Sequence, residues 1–168
     1  MALTVENGSG MEPAESYISE SDADAYFAKR GSPSAWTSLS SSNKESALRY
    51  ATVTLDGMYE FEGDITQLLQ ALSWPRSDAT DWEGRTIVST SVPQRVKDAT
   101  CELALLHLTE ALNSSFARDG AIIREKVGSI ETEYSEAAGA ETSLPVIDRI
   151  IGGLGYRRSG VTGRSIRA

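Results

Sequence analysis

The sequence predicts a mainly α fold, a small helical bundle around one central apolar helix, with a protruding β-strand or hairpin and extended termini. Three observations predict it. From Val96 to Leu112 apolar residues occupy most faces of a helical wheel, with Val96, Ala99, Leu103 and Leu106 on one side and Cys101, Leu105, Leu108 and Leu112 on another. A helix apolar all round is touched by neighbours on several sides. Near Ile130 the period changes to alternation, with Ile130, Thr132 and Tyr134 opposite Glu131 and Glu133, which is a strand signal. Both ends are rich in glycine and poor in large apolar groups.

Taken in order, residues 1–20 read as an extended or mobile arm, with Leu3 and Val5 suited to a short edge strand. Ser21 then reads as the N-cap of a helix with Asp22 and Asp24 in its first turn, Tyr26 and Phe27 as anchors and Gly31 at the stop. Residues 33–37 make one further turn carrying Trp36. Ser42 with Glu45 has the spacing of a capping box ahead of Ala47, Leu48, Ala51, Leu55 and Met58. Residues 61–72 are ambiguous, since Leu68, Leu69 and Leu72 permit a short helix that Gly63 interrupts. Trp74-Pro75-Arg76 reads as a large ring held by a fixed proline φ, an anchor and a corner with Arg76 opening a loop. Ser91 and Gln94 form a second capping box, with Pro93 just inside the central helix. Gly128 divides residues 122–127 from the alternating strand as a bulge or hairpin turn. Residues 144–151 fit two helical turns opened near Ser143 and Pro145 and closed by Gly152-Gly153. The domain reading is therefore an arm over 1–20, a helical domain over 21–151 with a β segment at about 121–136, and a flexible basic tail over 152–168.

At 168 residues the chain suits one domain, able to bury roughly two thirds of its unfolded surface. One cysteine excludes an intramolecular disulfide framework. The first residues do not resemble a signal peptide, and no apolar run reaches the ~18 residues of a membrane span, which points to a cytoplasmic setting without a membrane partner. A net charge of −8 and a pI near 4.7 repel a phosphate backbone at long range. The charge is polarised. Residues 1–28 hold six acids and no Lys or Arg, whereas residues 152–168 hold four arginines, Arg157, Arg158, Arg164 and Arg167, and no acid. Opposite charge at opposite ends suits electrostatic docking in an assembly.

No constellation for catalysis, a cofactor or a metal emerges. Cys101 and His107 lie six positions apart on one helix, roughly 120° around the wheel, so they point away from each other and read as buried structural residues. Zinc needs three or four soft ligands. Asp78, Asp81 and Glu83 before Gly84 lack the alternating ligands of a calcium loop and read as polar turn chemistry. Gly153-Leu154-Gly155 has no third glycine for a dinucleotide fingerprint. Glu131 and Glu133 share a strand face without the further acidic cluster or lysine of a nuclease. The expectation is a protein that is not an enzyme.

The chain carries, in order, Leu3-Thr4-Val5-Glu6-Asn7-Gly8-Ser9-Gly10, Ser16-Tyr17, Ala23-Asp24-Ala25-Tyr26-Phe27, Trp36, Leu48-Arg49-Tyr50-Ala51, Ala71-Leu72-Ser73-Trp74-Pro75-Arg76, the polar turn Asp81-Trp82-Glu83-Gly84-Arg85, Ser91-Val92-Pro93, the apolar run Val96 to Leu112 and residues 126–134. In these the chain resembles tailed-bacteriophage head-to-tail connector proteins, the adaptor or head-completion family. That resemblance implies a structural virion protein that forms a homo-oligomeric, dodecameric ring beneath the portal. Its partners would be the portal and a tail terminator, stopper or other tail component, with no specific nucleic acid although DNA passes the channel. It would act at the head-tail interface of the virion, assembled in the host cytoplasm. Tyr156, Arg157, Arg158, Arg164 and Arg167 would bind the portal or another partner. Ile130, Thr132 and Tyr134, on a strand with no obvious second strand in the chain, would meet a neighbouring subunit. Trp74, Pro75 and Arg76 would be the structural anchor. Similar sequences are also grouped as DnaT-like single-stranded-DNA-binding proteins. That alternative draws on Tyr156 among the arginines, since an aromatic beside guanidiniums can stack bases and neutralise phosphates.

Overall fold

The computed structural model describes residues 2–109, 124–127, 130–133 and 144–158. The opening segment is packed into the molecule, unlike the mobile arm expected. Val5 bridges Ser16 in parallel, and Tyr17 and Ile18 lie in the core with 0% and 3% of their surface exposed. The physical reason is Glu6. Its buried carboxylate accepts the backbone N–H groups of Gly8 at 2.8 Å, Gly10 at 3.0 Å and Met11 at 2.7 Å, so one side chain satisfies three donors of an irregular loop.

Helix α1 spans Glu20–Ala28 and begins one cap earlier than expected, because the Ser19 hydroxyl, not Ser21, accepts the Asp22 N–H. It buries Ala23, Tyr26 and Phe27, and Gly31 takes φ +85° at the turn that follows. The single turn α2, Ser34–Thr37, places Trp36 wholly inside, with its indole N–H donating to Asp24 at 2.7 Å. Helix α3, Ser41–Met58, is capped by Ser40 accepting from the Asn43 N–H, in place of the Ser42 and Glu45 box. Its inner face is Ala47, Leu48, Ala51, Thr52 and Leu55, and it runs directly into strand β1, Tyr59–Phe61.

Strand β2, Asp64–Ile65, pairs antiparallel with β3, Arg76–Ser77. Between them residues 66–75 form a loop that leaves Leu68 and Leu69 exposed, so the helical option there is not taken. The loop closes on the Trp74-Pro75 corner, a cis peptide. Trp74 is completely buried and edge-on to Phe61 at 5.7 Å. Arg76 donates to three carbonyls, those of Glu62, Ser73 and Gly63.

Helix α4, Gln94–Leu108, follows Pro93 without a side-chain cap, and the Ser91 hydroxyl donates to Val88 O instead of capping it. Its buried residues Val96, Ala99, Thr100, Cys101, Leu103 and Ala104 span roughly 200° of the helix, and it packs against α1, α2, α3 and α5. Residues 110–112 of the expected apolar run lie outside the described residues. Strands β4, Arg124–Val127, and β5, Ile130–Glu133, pair antiparallel with Val127 opposite Ile130. The expected lone strand therefore has its partner in its own chain. Helix α5, Pro145–Ile151, starts with proline in its first turn.

After α5 the chain does not run free from Gly152. Leu154 is buried, and β6, Gly155–Arg157, pairs antiparallel with β1, placing Phe61 opposite Gly155, Glu60 opposite Tyr156 and Tyr59 opposite Arg157. A Cβ at Gly155 would collide with Glu60 O and come within 2.9 Å of Phe61 Cα, so glycine here permits close strand contact and is not a mark of looseness. Helix thus predominates, with three two-stranded ladders among the described residues instead of the one expected. Strands of two or three residues carry no readable period.

Candidate functional site

Most large side chains are spent on the core, so those left facing solvent narrow the search. The chain has three tryptophans; Trp36 and Trp74 are fully buried, while Trp82 is 65% exposed. The turn that carries Trp82 is built by Asp81. Its Oδ1 accepts the N–H groups of Glu83 and Arg85, each at 2.9 Å, its backbone carbonyl accepts from Gly84 at 2.8 Å, and Thr80 bridges Thr86 below. Hydrogen bonds from the Arg85 backbone foremost hold the Asp81 carboxyl below the usual carboxylate range.

Trp82 is placed by a long-range contact. Its backbone and Cβ lie against Gly153, where a Cβ would come within 3.0 Å of Trp82 Cα. From the other side Arg95, in the first turn of α4, donates from Nη1 to Gly152 O at 3.1 Å. Between the turn and residues 152–154 lies a cleft of about 240 Å³, lined by Trp82, Ile87, Pro93 and Leu154 together with Asp81, Arg85, Gln94 and Arg95. Arg85 is exposed and bridges Asp81 and Glu83, each at 2.9 Å.

Beyond the cleft, Tyr156 projects from β6 with 59% of its surface exposed, and a hydrogen bond to Glu60 pushes its phenol pKa up. Arg157 reaches Asp148 at 3.8 Å, and Asp148 also accepts the Tyr59 hydroxyl, which clasps α5 to the β1–β6 ladder. Arg158 is exposed, and its N–H donates to Met58 O at 2.9 Å. Of the residues singled out from sequence, Tyr156, Arg157 and Arg158 follow directly on residues 152–153, which meet Arg95 and Trp82; along β6 Tyr156 faces the opposite way from Arg157, whose guanidinium turns to Asp148. Arg164, Arg167 and Tyr134 lie outside the described residues. Ile130 and Thr132 sit on β5, within the hairpin. Trp74, Pro75 and Arg76 form an interior corner that offers no ring to solvent.

Groups that might suggest other chemistry are occupied structurally. Burial raises the Cys101 thiol pKa well above its ordinary value, which keeps it protonated and unreactive. His107 stacks on Tyr50 with ring centroids 3.8 Å apart. Among the described residues no group of three or more His, Cys, Asp or Glu side chains is placed to hold a metal ion, and no helix is long and apolar enough to cross a membrane.

Sequence reading passed over Trp82, Arg85 and Arg95 as binding residues. The available signal was a tryptophan at the tip of a polar turn, a costly place for such a ring if it served only to turn the chain. Arg95 had no local signal, because its contact with Gly152 spans 57 positions.

The chain matches, over residues 1–168, the family model described as "Putative DnaT-like ssDNA binding protein". No curated protein and no solved structure matches it. The family match overturns the resemblance to head-to-tail connectors, and with it the structural-virion role, the dodecameric ring, the portal and tail partners and the exclusion of a nucleic-acid partner. The reason is physical. The segments behind that resemblance, such as Trp74-Pro75-Arg76 and the apolar run of α4, are core and corner features that specify packing and carry no information about what the surface meets. By its match from end to end, the chain belongs to the DnaT-like ssDNA-binding protein family.

Proposed function

We propose that this chain is a non-catalytic module that binds single-stranded DNA along the edge formed by the 80–86 turn, the start of α4 and residues 152–158. The helices packed around α4 act as one folded scaffold for that edge. The observation that carries the reading is that one continuous segment, residues 152–158, bears the exposed Tyr156 and Arg158 and meets the exposed Trp82 at Gly153 and the guanidinium of Arg95 at Gly152. Exposed aromatics stack unpaired bases whatever their identity, and guanidiniums follow the phosphates. A duplex keeps its bases stacked on each other and offers such rings nothing. The family match supports the same partner.

The acidic body shapes how binding works. With a net charge of −8 the protein gains little from long-range attraction, so stacking must supply much of the affinity. Three or four arginine–phosphate contacts on a single strand correspond to a slope of log affinity against log salt of roughly −2 to −3. A gel-shift titration with oligo-dT, and with a duplex of the same length, at low and physiological salt tests this. Retention of the single strand with a shallow salt slope, and weak duplex binding, is expected. Equal binding of both forms, or none at either salt, would defeat the proposal.

A further inference from the structure

We infer that the cleft between Trp82 and residues 152–154 is a seat for one unstacked base of the strand, with that nucleotide's phosphate held by Arg95 and Arg85. The inference rests on the single-strand reading and goes further by assigning the place where the strand is gripped. At about 240 Å³ the cleft is smaller than the roughly 300–1,000 Å³ of pockets that take drug-sized ligands, so a single ring is the size of occupant it suits. Its apolar surfaces are Ile87, Pro93, Leu154 and the indole of Trp82, which suit the faces of a flat heteroaromatic ring. The polar lining is Arg85, Arg95, Gln94 and Asp81, whose carboxylate is engaged by the N–H groups of its own turn. Arg95 spends one of its five donors on Gly152 O, and α4 starts at the same rim without a side-chain cap, so the positive end of its dipole adds to the guanidinium. Arg85 pairs with the exposed Glu83 and with the half-buried Asp81, and the exposed pair with Glu83 is readily exchanged for a phosphate.

Two features make the seat specific for an unpaired base. Gly153 lets the Trp82 main chain and Cβ pack against the approach to β6, which anchors the turn at the residue that carries the exposed indole. Tyr156 follows three positions on, so a neighbouring base has a second ring along the same segment.

The molecule carries its own reporter, because Trp82 is the one exposed tryptophan of three. Oligo-dT should quench the fraction of tryptophan emission that acrylamide reaches in the free protein, and an abasic oligomer of equal length should not. In anisotropy titrations with labelled oligo-dT, W82A should weaken binding roughly tenfold and W82F much less, since a phenyl ring still stacks. R95A should weaken it with little change in melting temperature. If labelled oligo-dT binds with normal affinity to W82A and leaves the wild-type emission unchanged, the seat is elsewhere while the single-strand reading stands. If labelled oligo-dT does not bind the wild type at all, the reading and the inference fall together.

Discussion

Trp74 shows how a single residue can be central to stability and silent in function. Its ring is wholly buried against Phe61, its backbone N–H donates to the Tyr17 hydroxyl at 3.2 Å, and its indole N–H has no partner among the described residues. Trp74→Ala should cost about 3–5 kcal/mol through lost burial and a cavity. Trp74→Phe should cost clearly less, since it also removes a buried donor that is unpaired; chemical denaturation of both variants reads the difference. Behind it, Asp56 accepts the Tyr17 hydroxyl at 2.6 Å and the Ser73 N–H at 2.9 Å. Burial raises its carboxyl pKa above the usual 3.8, and the hydrogen bonds from Tyr17 and Ser73 only partly offset this. A raised folded-state pKa means that Asp56 contributes stability fully below the unfolded value, and that this contribution is lost as pH rises through the folded value. Asp56→Asn has no such titration. Melting curves should therefore show wild type losing ground to Asp56→Asn as pH is raised from about 4 towards neutrality. A constant difference across that range would mean the carboxyl titrates normally.

At the scale of elements, the long helices were legible and the joins between them were not. The period of Ala47, Leu48, Ala51 and Leu55 gave α3, and the apolar faces around Val96 to Leu108 gave α4, because burial of a stripe is written into local spacing. Caps slipped by a residue or two, since Ser19, Ser21, Ser40 and Ser42 are chemically equivalent and only tertiary contacts choose among them. The larger misreadings were of glycine. Gly8 packs against Thr90 O with φ +101°, and Gly155 against Glu60 O, both serving contacts with partners distant in sequence that composition cannot show. Two substitutions separate the roles. Gly155→Ala should force β6 off β1 and lower the melting temperature by several degrees, roughly 2–4 °C per kcal/mol lost. Gly57→Ala, in α3 with nothing within 4 Å of the added Cβ, should raise stability by about 0.5–1 kcal/mol. The proposed binding edge was half legible for the same reason. Tyr156 and the arginines stand together in sequence, but Trp82 and Arg95 join them only through Gly152 and Gly153.

At the scale of the whole molecule, an acidic protein that takes single strands must concentrate its affinity where rings and guanidiniums meet and let the rest repel. The proposed role fits the polarity of the chain, with acids gathered in residues 1–28 and arginine in residues 152–168. Replacing Glu60 and Glu83, which lie beside Tyr156 and Arg85, with glutamine should tighten oligo-dT binding by a few-fold at low salt. The same exchange should change little at high salt, and anisotropy titrations at both conditions check it. The central claim is where the strand lies. A nitrogen–proton correlation spectrum recorded during addition of oligo-dT tests it most directly, because three indole signals report on one exposed and two buried tryptophans. The account predicts that the Trp82 indole and the amides of Arg95 and Gly153 to Arg158 shift together while the Trp36 and Trp74 indoles stay in place. Shifts confined to other surfaces, or no shifts at saturating oligomer, would contradict it.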